Sequence, residues 1–373
     1  MDGRDFPHRI REGVLRIYRL FDVADEIDLA RAEALAAGPS ARRRWEGVHS
    51  SGAIEIPHPP LHIDLGRRTA PLASGPREAA ASLHLFDYGV MSVLYKVPIS
   101  PGTSFEELLP LAEELNVLPT PALDAAARAE AEEQGRALGP SLVRPHRWEG
   151  LETFHVFLVQ SFDEAVPAAE VMARAPIARL LLGETSLTPL SAAEEADVLK
   201  HRFSYLADDL AVVDWNSAFL YEPSGVADIP DLLEFATAHL LELRYYDALL
   251  DRELQGIYAE MQAGRGPQRL FTRRYANLQR RTASLLLELS EMIERLENGV
   301  KIVGDFYLAR VYQAAVRRFR LPAWQEDVLR KQRLLADVHR LLDEATGVRR
   351  AELLEVTIIL LILWEILWAL LRH

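Results

Sequence analysis

The chain alternates apolar and polar residues with two different periods, and the period changes near residue 205. Before that point, short strand-like runs alternate with helical ones, which predicts an α+β region, for which a ferredoxin-like sheet is one candidate topology. The strand-like runs fall at 14–21, 83–86, 90–95 and 153–162, and the helical runs at 26–37, 104–115, 122–138 and 164–174. The proline-rich segment 57–76 predicts a loop or a sheet edge.

From Asp228 onward almost the whole sequence has a helical pattern. Asp228 as a cap and Pro230 in the first turn predict the start of one helix about 50 Å long, and Gly264–Pro267 predicts a hairpin turn after it. The return helix carries apolar residues at spacings of three and four, which predicts a coiled-coil seam between long antiparallel helices. The seam residues are Leu278, Leu285, Leu289, Met292 and Leu296. Pro322 and Gly347 should bound two further helices.

The last segment of the sequence is apolar on every face of a helix. From Leu353 to Leu371, only Glu355 and Glu365 interrupt 19 residues, a length of about 28 Å that is close to the hydrocarbon thickness of a bilayer. This pattern predicts a C-terminal transmembrane anchor, and the alternative is a helix buried at the axis of an oligomer. The predicted anchor residues are Val356, Ile358, Ile359, Leu360, Leu361, Trp364 and Trp368.

Glu365 lies inside this apolar run. A carboxylate in mid-membrane costs about 2.5–3.5 kcal/mol, so it should be protonated or face a partner. It could form a polar contact between identical helices or belong to a proton path. The polar contact is favoured, because a proton path through the membrane needs more than one ionisable side chain.

These patterns divide the chain into four regions. They are a divergent strand, helix and loop segment at 1–80, an α+β domain at 81–227, a long-helix coiled-coil domain at 228–348 and a transmembrane anchor at 349–373. The N-terminus has no apolar run of signal-peptide length. We therefore expect a tail-anchored protein of the inner membrane, with the bulk of the chain in the cytoplasm.

Charge is distributed unevenly along the chain. The net charge is −13, yet residues 1–227 hold 34 acidic against 21 basic side chains, whereas 228–350 hold 18 against 20. The global acidity therefore does not exclude an anionic partner for the helical half. The sequence contains no cysteine, which excludes disulfides, zinc ribbons, iron–sulfur clusters and cysteine nucleophiles.

Six arginines and no acidic residue lie between Met261 and Leu287, with aromatic residues interleaved. Such a face suits RNA phosphates or anionic lipid headgroups. The alternative, which is slightly favoured, is a solvated face paired with glutamates of the same hairpin. The candidate RNA- or lipid-binding residues are Arg269, Arg273, Arg274, Arg280 and Arg281.

Motifs of known chemistry are absent from the sequence. It lacks HExxH, phosphate-binding glycine loops and the GxSxG elbow, and His58 with His62 is interpreted as a stray surface pair. Asp208, Asp209 and Asp214 form the best carboxylate cluster, which could be a catalytic or metal site but is better explained as a hydrogen-bonded strand end. We therefore predict no enzyme activity, no cofactor and no metal.

Three segments resemble the required-for-meiotic-nuclear-division family, a domain of unknown function. They are Ala211–Leu254, Gly304–Trp324 and the terminal run with Glu365, and the resemblance covers roughly residues 83–371. It implies a membrane-anchored, non-enzymatic, self-assembling protein. Eukaryotic members of the family are mitochondrial inner-membrane proteins that support translation by tethering ribosomes, whereas the composition here looks bacterial.

The sequence thus leads to one principal functional prediction and two alternatives. The principal prediction is a non-enzymatic, tail-anchored scaffold that forms a homo-oligomer through its long helices and displays a cytoplasmic α+β domain. The first alternative is a membrane tether that binds ribosomes or RNA through the arginine face. The second is an enzyme or metal site at the Asp208, Asp209 and Asp214 corner.

Overall fold

The computed structural model describes residues 6–42, 58–186, 188–263, 280–287, 289–290 and 306–371. The chain divides into two compact units, which are Met1–Tyr245 with Arg295–Trp324, and Tyr246–Glu294 with Gln325–His373. The first unit carries a large sheet, and the second consists of helices where it is described.

The described strands belong to the first unit. They are β1 (Ile10–Asp22), β2 (Ala24–Ile27), β3 (Ser40–Arg42), β4 (Leu61–Leu72), β5 (Gly75–Leu85), β6 (Val90–Pro98), β7 (Leu142–Pro145), β8 (Glu152–Phe162), β9 (Arg202–Phe203), β10 (Leu210–Val213) and β11 (Ser217–Tyr221). The helices are α1 (Leu29–Leu35), α2 (Phe105–Asn116), α3 (Pro121–Ala137), α4 (Ala168–Arg174), α5 (Ile177–Leu182), α6 (Ala192–Val198), α7 (Asp228–Ala263), α8 (Phe306–Arg318) and α9 (Leu321–Leu371).

Nine of these strands form one sheet in the order β3-β4-β5-β6-β1-β8-β11-β10-β9. Strand β1 lies at the centre, antiparallel to β6 on one side and to β8 on the other. Strand β11 pairs with β8 in parallel, whereas the other neighbours in the sheet are antiparallel. Strands β2 and β7 form a separate two-stranded ribbon. Strands from both sides of residue 80 therefore share one sheet.

The two faces of the sheet have different chemistry because successive side chains of a strand point to opposite sides. On one face, Leu15 and Ile17 of β1 belong to the same buried apolar cluster as Phe105 of α2 and Leu123 of α3. On the other face, Arg16 of β1 contacts the N-terminal half of α7. The apolar face thus forms the core, and the second face combines packing with buried polar groups.

The start of α2 shows how local sequence fixes an element. Ser104 accepts a hydrogen bond from the Glu107 backbone N–H, and the Glu107 carboxylate accepts one from the Ser104 N–H at 2.8 Å. This reciprocal capping box satisfies two N–H groups that the helix cannot pair internally.

We expect Ser104→Ala to lower the free energy of unfolding by about 1 kcal/mol, because the cap donor loses its acceptor. Chemical denaturation followed by circular dichroism measures the change. Ser100→Ala is the control, since Ser100 is exposed four residues earlier. Equal stability of the two variants would contradict the role of the cap.

Several predicted elements are confirmed. The strand at 14–21 is the central part of β1, the pair at 83–86 and 90–95 lies in adjacent strands β5 and β6, and the 104–115 and 122–138 patterns form α2 and α3. The long helix predicted from Asp228 is α7, with 36 residues.

The prediction of a loop at 57–76 is wrong for Leu61–Leu72, which form β4, whereas the prediction of a sheet edge holds beyond Asp64, where the described β3 no longer pairs with β4. Its prolines do not interrupt the strand. Pro71 pairs with Pro76 at the β4–β5 hairpin, and the register shift between Asp64 and Gly66 is accommodated by a positive φ of 71° at Gly66.

In the second unit, buried apolar residues recur at spacings of three and four along the helices. The buried apolar residues are Leu250, Leu254, Ile257, Leu285, Leu289, Val328, Leu335 and Val338. The Lys331 ammonium lies 2.7 Å from Asp247 and 2.6 Å from Asp251, and Thr282 Oγ1 lies 2.8 Å from His339 Nδ1. These contacts join residues from α7, the 280–290 segment and α9.

The predicted fold class is wrong. The protein is a mixed α/β structure with a nine-stranded sheet, not a ferredoxin-like domain followed by a coiled-coil hairpin and an anchor. The sheet is larger than expected because β1 pairs on both edges and β11 inserts beside β8. Gly347 does not end a helix, because it lies inside α9, which has 51 residues in total. One internal glycine costs only about 1 kcal/mol.

The predicted transmembrane anchor at 349–373 and the inner-membrane location are also wrong. In the part of the chain that the structure describes, helices that are long enough to cross a bilayer are not apolar enough to do so. Helix α9 is long, but charged residues are frequent in its first half, and Glu355 and Glu365 interrupt its apolar end.

Candidate functional site

The apolar end of α9 is the largest exposed apolar feature among the described residues. Its large side chains are between 48% and 69% exposed, and Trp364 is the most exposed of them. They are Ile358, Ile359, Leu360, Leu361, Ile362, Leu363, Trp364 and Trp368. We call this set the apolar segment. Monomeric proteins rarely expose contiguous apolar patches beyond a few hundred Å², so a surface of this kind marks an interaction site.

Val356 and Glu365 lie within the backbone of α9 beside the apolar segment, but their side chains are outside the described residues. Glu355, one turn before the segment, is exposed. The polar contact predicted for Glu365 stays a prediction.

The predicted arginine face is described only in part. Arg269, Arg273 and Arg274 lie outside the described residues, whereas Arg280 and Arg281 are exposed on the 280–287 helix. Arg281 lies 2.5 Å from Glu253 of α7. At this position the arginine pairs with a glutamate of the neighbouring helix.

The predicted seam is likewise described in part. Leu278, Met292 and Leu296 lie outside the described residues. Leu285 and Leu289 are 7% and 0% exposed within a single copy of the chain. These two leucines are therefore already covered by their own chain and are not available to a second copy.

The carboxylates of the Asp208, Asp209 and Asp214 corner serve the local fold. Asp209 accepts hydrogen bonds from the backbone N–H groups of Tyr205 and Leu206 at 2.7 and 3.0 Å. Asp214 is fully buried and accepts from Arg318 of α8 at 2.7 Å, while Asp208 is exposed. Within the described residues, no group of three potential ligands is placed to hold a metal ion.

A network of buried polar groups, not predicted from the sequence, lies between α7 and the sheet. Arg16 of β1 donates to Asp231 of α7 at 2.7 Å and to the Tyr18 hydroxyl at 2.6 Å, with both side chains of the ion pair 5% exposed or less. The surroundings raise the pKa of Tyr18 well above its usual range, chiefly by burial.

A second part of this network is centred on His84 of β5. Its Nδ1 lies 2.7 and 2.9 Å from the two carboxylate oxygens of Glu234 on α7, and its Nε2 lies 3.0 Å from Ser82 Oγ. The His62 ring of β4 stacks on the His84 ring at 3.6 Å between centroids. His84 and Glu234 are each 2% exposed, so their contact is shielded from solvent.

His62, Ser82 and His84 line a pocket of about 390 Å³ at the β3–β4–β5–β6 end of the sheet. We call it the sheet pocket. Its polar lining residues are Ser40, His62, Asp64, Ser82, His84 and Lys96. Ser82 and His84 share a face because they are two residues apart on β5, and His62 is directly opposite His84 in the register. His62 is therefore part of a pocket, whereas His58 is exposed.

The sequence does carry a signal for this network. Asp231 and Glu234 are three residues apart in an otherwise apolar stretch of helix, so they occupy one face of α7. Arg16 and His84 stand within apolar strand patterns in the same way. Charged residues placed on buried faces indicate partners on the opposing element.

The fold and these contacts define a mixed α/β protein with a polar pocket on a nine-stranded sheet. Residues 12–228 match the family described as "Uncharacterized protein MJ0711, N-terminal domain", and the chain belongs to this family. The uncharacterized protein MJ0711 of Methanocaldococcus jannaschii is 26% identical over 178 residues, which is 47% of this chain and 53% of that protein. The chain thus spans about half the length of this relative. No solved structure matches.

Proposed function

We propose that the chain is a self-assembling protein in which copies associate through the apolar segment of α9. The carrying observation is the exposure of eight large apolar side chains at the end of one helix. Seven of them are consecutive, from Ile358 to Trp364, and successive residues turn by about 100°, so every face of the helix is apolar there.

A second copy is the partner that this surface fits best. The run from Ile358 to Trp364 contains no charged residue for a different partner to match, and two identical segments are complementary by symmetry in a two-fold contact. Burying a half-exposed leucine or isoleucine contributes about 1 kcal/mol, so the set together can drive association. The buried leucines Leu285 and Leu289 contribute to the single chain instead.

We expect the full chain to be an oligomer and the double variant Ile359→Glu/Leu363→Glu to be a monomer, because each new carboxylate would be buried without a partner. Size-exclusion chromatography with light scattering measures the mass. Leu334→Glu is the matched control, since Leu334 is 45% exposed on the same helix but outside the segment.

Two outcomes would overturn this proposal. One is a parent chain that is monomeric over the micromolar range. The other is a double variant with the same mass as the parent. A parent chain that is monomeric but co-sediments with phospholipid vesicles would assign the segment to a lipid surface instead.

A further inference from the structure

Ser82 and His84, which line the sheet pocket, and Glu234 of α7 behind them form three groups in the order required for nucleophilic catalysis. Ser82 Oγ is within hydrogen-bond distance of His84 Nε2, and His84 Nδ1 is within hydrogen-bond distance of Glu234. A hydroxyl next to a base, with the base oriented by a third group, is the arrangement that activates a serine. The separations of 3.0 and 2.7 Å fall within the range of about 2.6–3.2 Å that such contacts need.

The charge of Glu234 sets the protonation pattern of His84. A carboxylate at Glu234 accepts from Nδ1–H, which leaves the Nε2 lone pair directed at the Ser82 hydroxyl. Burial raises the pKa of Glu234 to about 7. The charge of Asp231 on α7 raises it further, whereas the charges of His62 on β4 and Arg16 on β1 lower it. The carboxylate form of Glu234, and with it this tautomer, is therefore favoured as pH rises above neutrality.

A nucleophile and its base must be open to the substrate, whereas the group that positions the base need not be. Ser82 and His84 line it, whereas Glu234 reaches His84 from α7 and is not among the lining residues. Ser82 is only partly buried, so a ligand in the pocket can reach its hydroxyl. Lys96 of β6 also lines the pocket and supplies a cationic group.

We propose that the sheet pocket is an acyl-transfer site that cleaves small carboxylic esters, with Ser82 as nucleophile, His84 as general base and Glu234 as the residue that positions His84. This function is independent of self-assembly through α9. The pocket volume of about 390 Å³ limits the substrate to a small molecule.

The reaction proceeds in two balanced steps. Ser82 Oγ attacks the ester carbonyl carbon as its proton passes to His84 Nε2, and the Lys96 ammonium offsets the negative charge that develops on the carbonyl oxygen. The C–O bond to the leaving alcohol breaks, and the alcohol takes the proton from His84. In the second step His84 removes a proton from water, the hydroxide attacks the acyl carbon, and Ser82 leaves with that proton as the carboxylic acid is released.

The test uses the full chain with p-nitrophenyl acetate as substrate and a fluorophosphonate as a serine-reactive probe. We expect hydrolysis above the buffer rate and probe attachment at Ser82 in the peptide mass spectrum. Ser82→Ala should lose both, with a rate lower by about 100-fold or more. Ser74→Ala is the control, because Ser74 is an exposed serine on the β4–β5 turn and is not among the lining residues.

Glu234→Gln tests the positioning role. The rate of the parent should rise as pH increases through about 7, and the variant should have a kcat lower by about 10-fold or more without that rise. A parent that does not react at Ser82, or a Ser82→Ala variant that keeps the parent rate, would overturn the proposal. Circular dichroism of each variant separates a lost site from a lost fold.

Discussion

Replacing Arg19 with alanine should lower the free energy of unfolding by about 3–5 kcal/mol. Arg19 is fully buried on the apolar face of the sheet, and its guanidinium lies 2.7 Å from Asp124 and 3.0 Å from the Thr120 hydroxyl, both at the start of α3. It also donates to the Tyr18 carbonyl at 3.0 Å and lies 2.9 Å from His155 Nε2. The arginine thus joins β1, β8 and α3.

The loss should be large because two buried acceptors, the Tyr18 carbonyl and His155 Nε2, and two partly buried ones, Asp124 and Thr120, lose their donor at once. Burial lowers the pKa of His155 well below its usual range, and the charge of Arg19 lowers it further, so His155 is neutral and accepts from Arg19 through Nε2. Its Nδ1 then donates to Asn116 at 3.0 Å. Without Arg19, Nε2 of this buried imidazole has no partner from β1.

Urea unfolding of Arg19→Ala measures the loss, and Arg11→Ala is the matched control. Arg11 is an exposed arginine on the same strand, so its replacement should change stability by less than about 0.5 kcal/mol. A loss below about 1 kcal/mol for Arg19→Ala would show that the contacts around Arg19 do not contribute to the fold as described.

Replacing Asp231 with alanine should be similarly severe, at about 3–5 kcal/mol, for a different reason. It leaves the Arg16 guanidinium, which is 5% exposed, with its charge buried and without the carboxylate that lies 2.7 Å away. Removing one partner of a buried ion pair is costly, whereas replacing both by apolar residues of similar size is often neutral.

The double variant Arg16→Met/Asp231→Leu therefore separates the two effects. We expect it to recover most of the stability lost in Asp231→Ala, because neither charge remains to be desolvated. Equilibrium unfolding of the two variants and of the parent measures the difference. If the double variant is as unstable as the single one, α7 depends on the ion pair itself for its place on the sheet.

Elements fixed by neighbouring residues could be predicted from the sequence. The capping box of Ser104 and Glu107 acts over three residues, and the apolar alternation around Ile17 marks a strand without reference to any partner. Each of these patterns is complete within about a dozen residues. The start of α7 at Asp228 is equally local, with two aspartates in its first turn.

Pairings that join distant parts of the chain could not be predicted. Arg16 and Asp231 are 215 positions apart, and His84 and Glu234 are 150 apart. The buried positions of Arg16 and His84 signal that each needs a partner, but several carboxylates in the chain would satisfy that need equally well. The sheet order has to be known first, because it alone brings β5 and α7 together.

The apolar end of α9 shows a different limit. Its composition indicates correctly that these residues cannot all be covered within one chain, and the structure leaves them exposed. Composition alone does not tell whether a bilayer or another protein covers these side chains. That distinction depends on charged positions and on the neighbours of the helix, which a hydropathy pattern does not contain.

The central place of β1 has a consequence for how the protein is made. This strand leaves the ribosome before its two neighbours in the sheet, β6 and β8, which end at residues 98 and 162. At about 5–20 residues per second, the 140 positions from Asp22 to Phe162 take about 7–28 s to synthesise. During that interval an apolar strand has at least one open edge, which is a template for mispairing with other chains. Yield in a cell should therefore depend on what shields this nascent strand, even though the finished sheet encloses it.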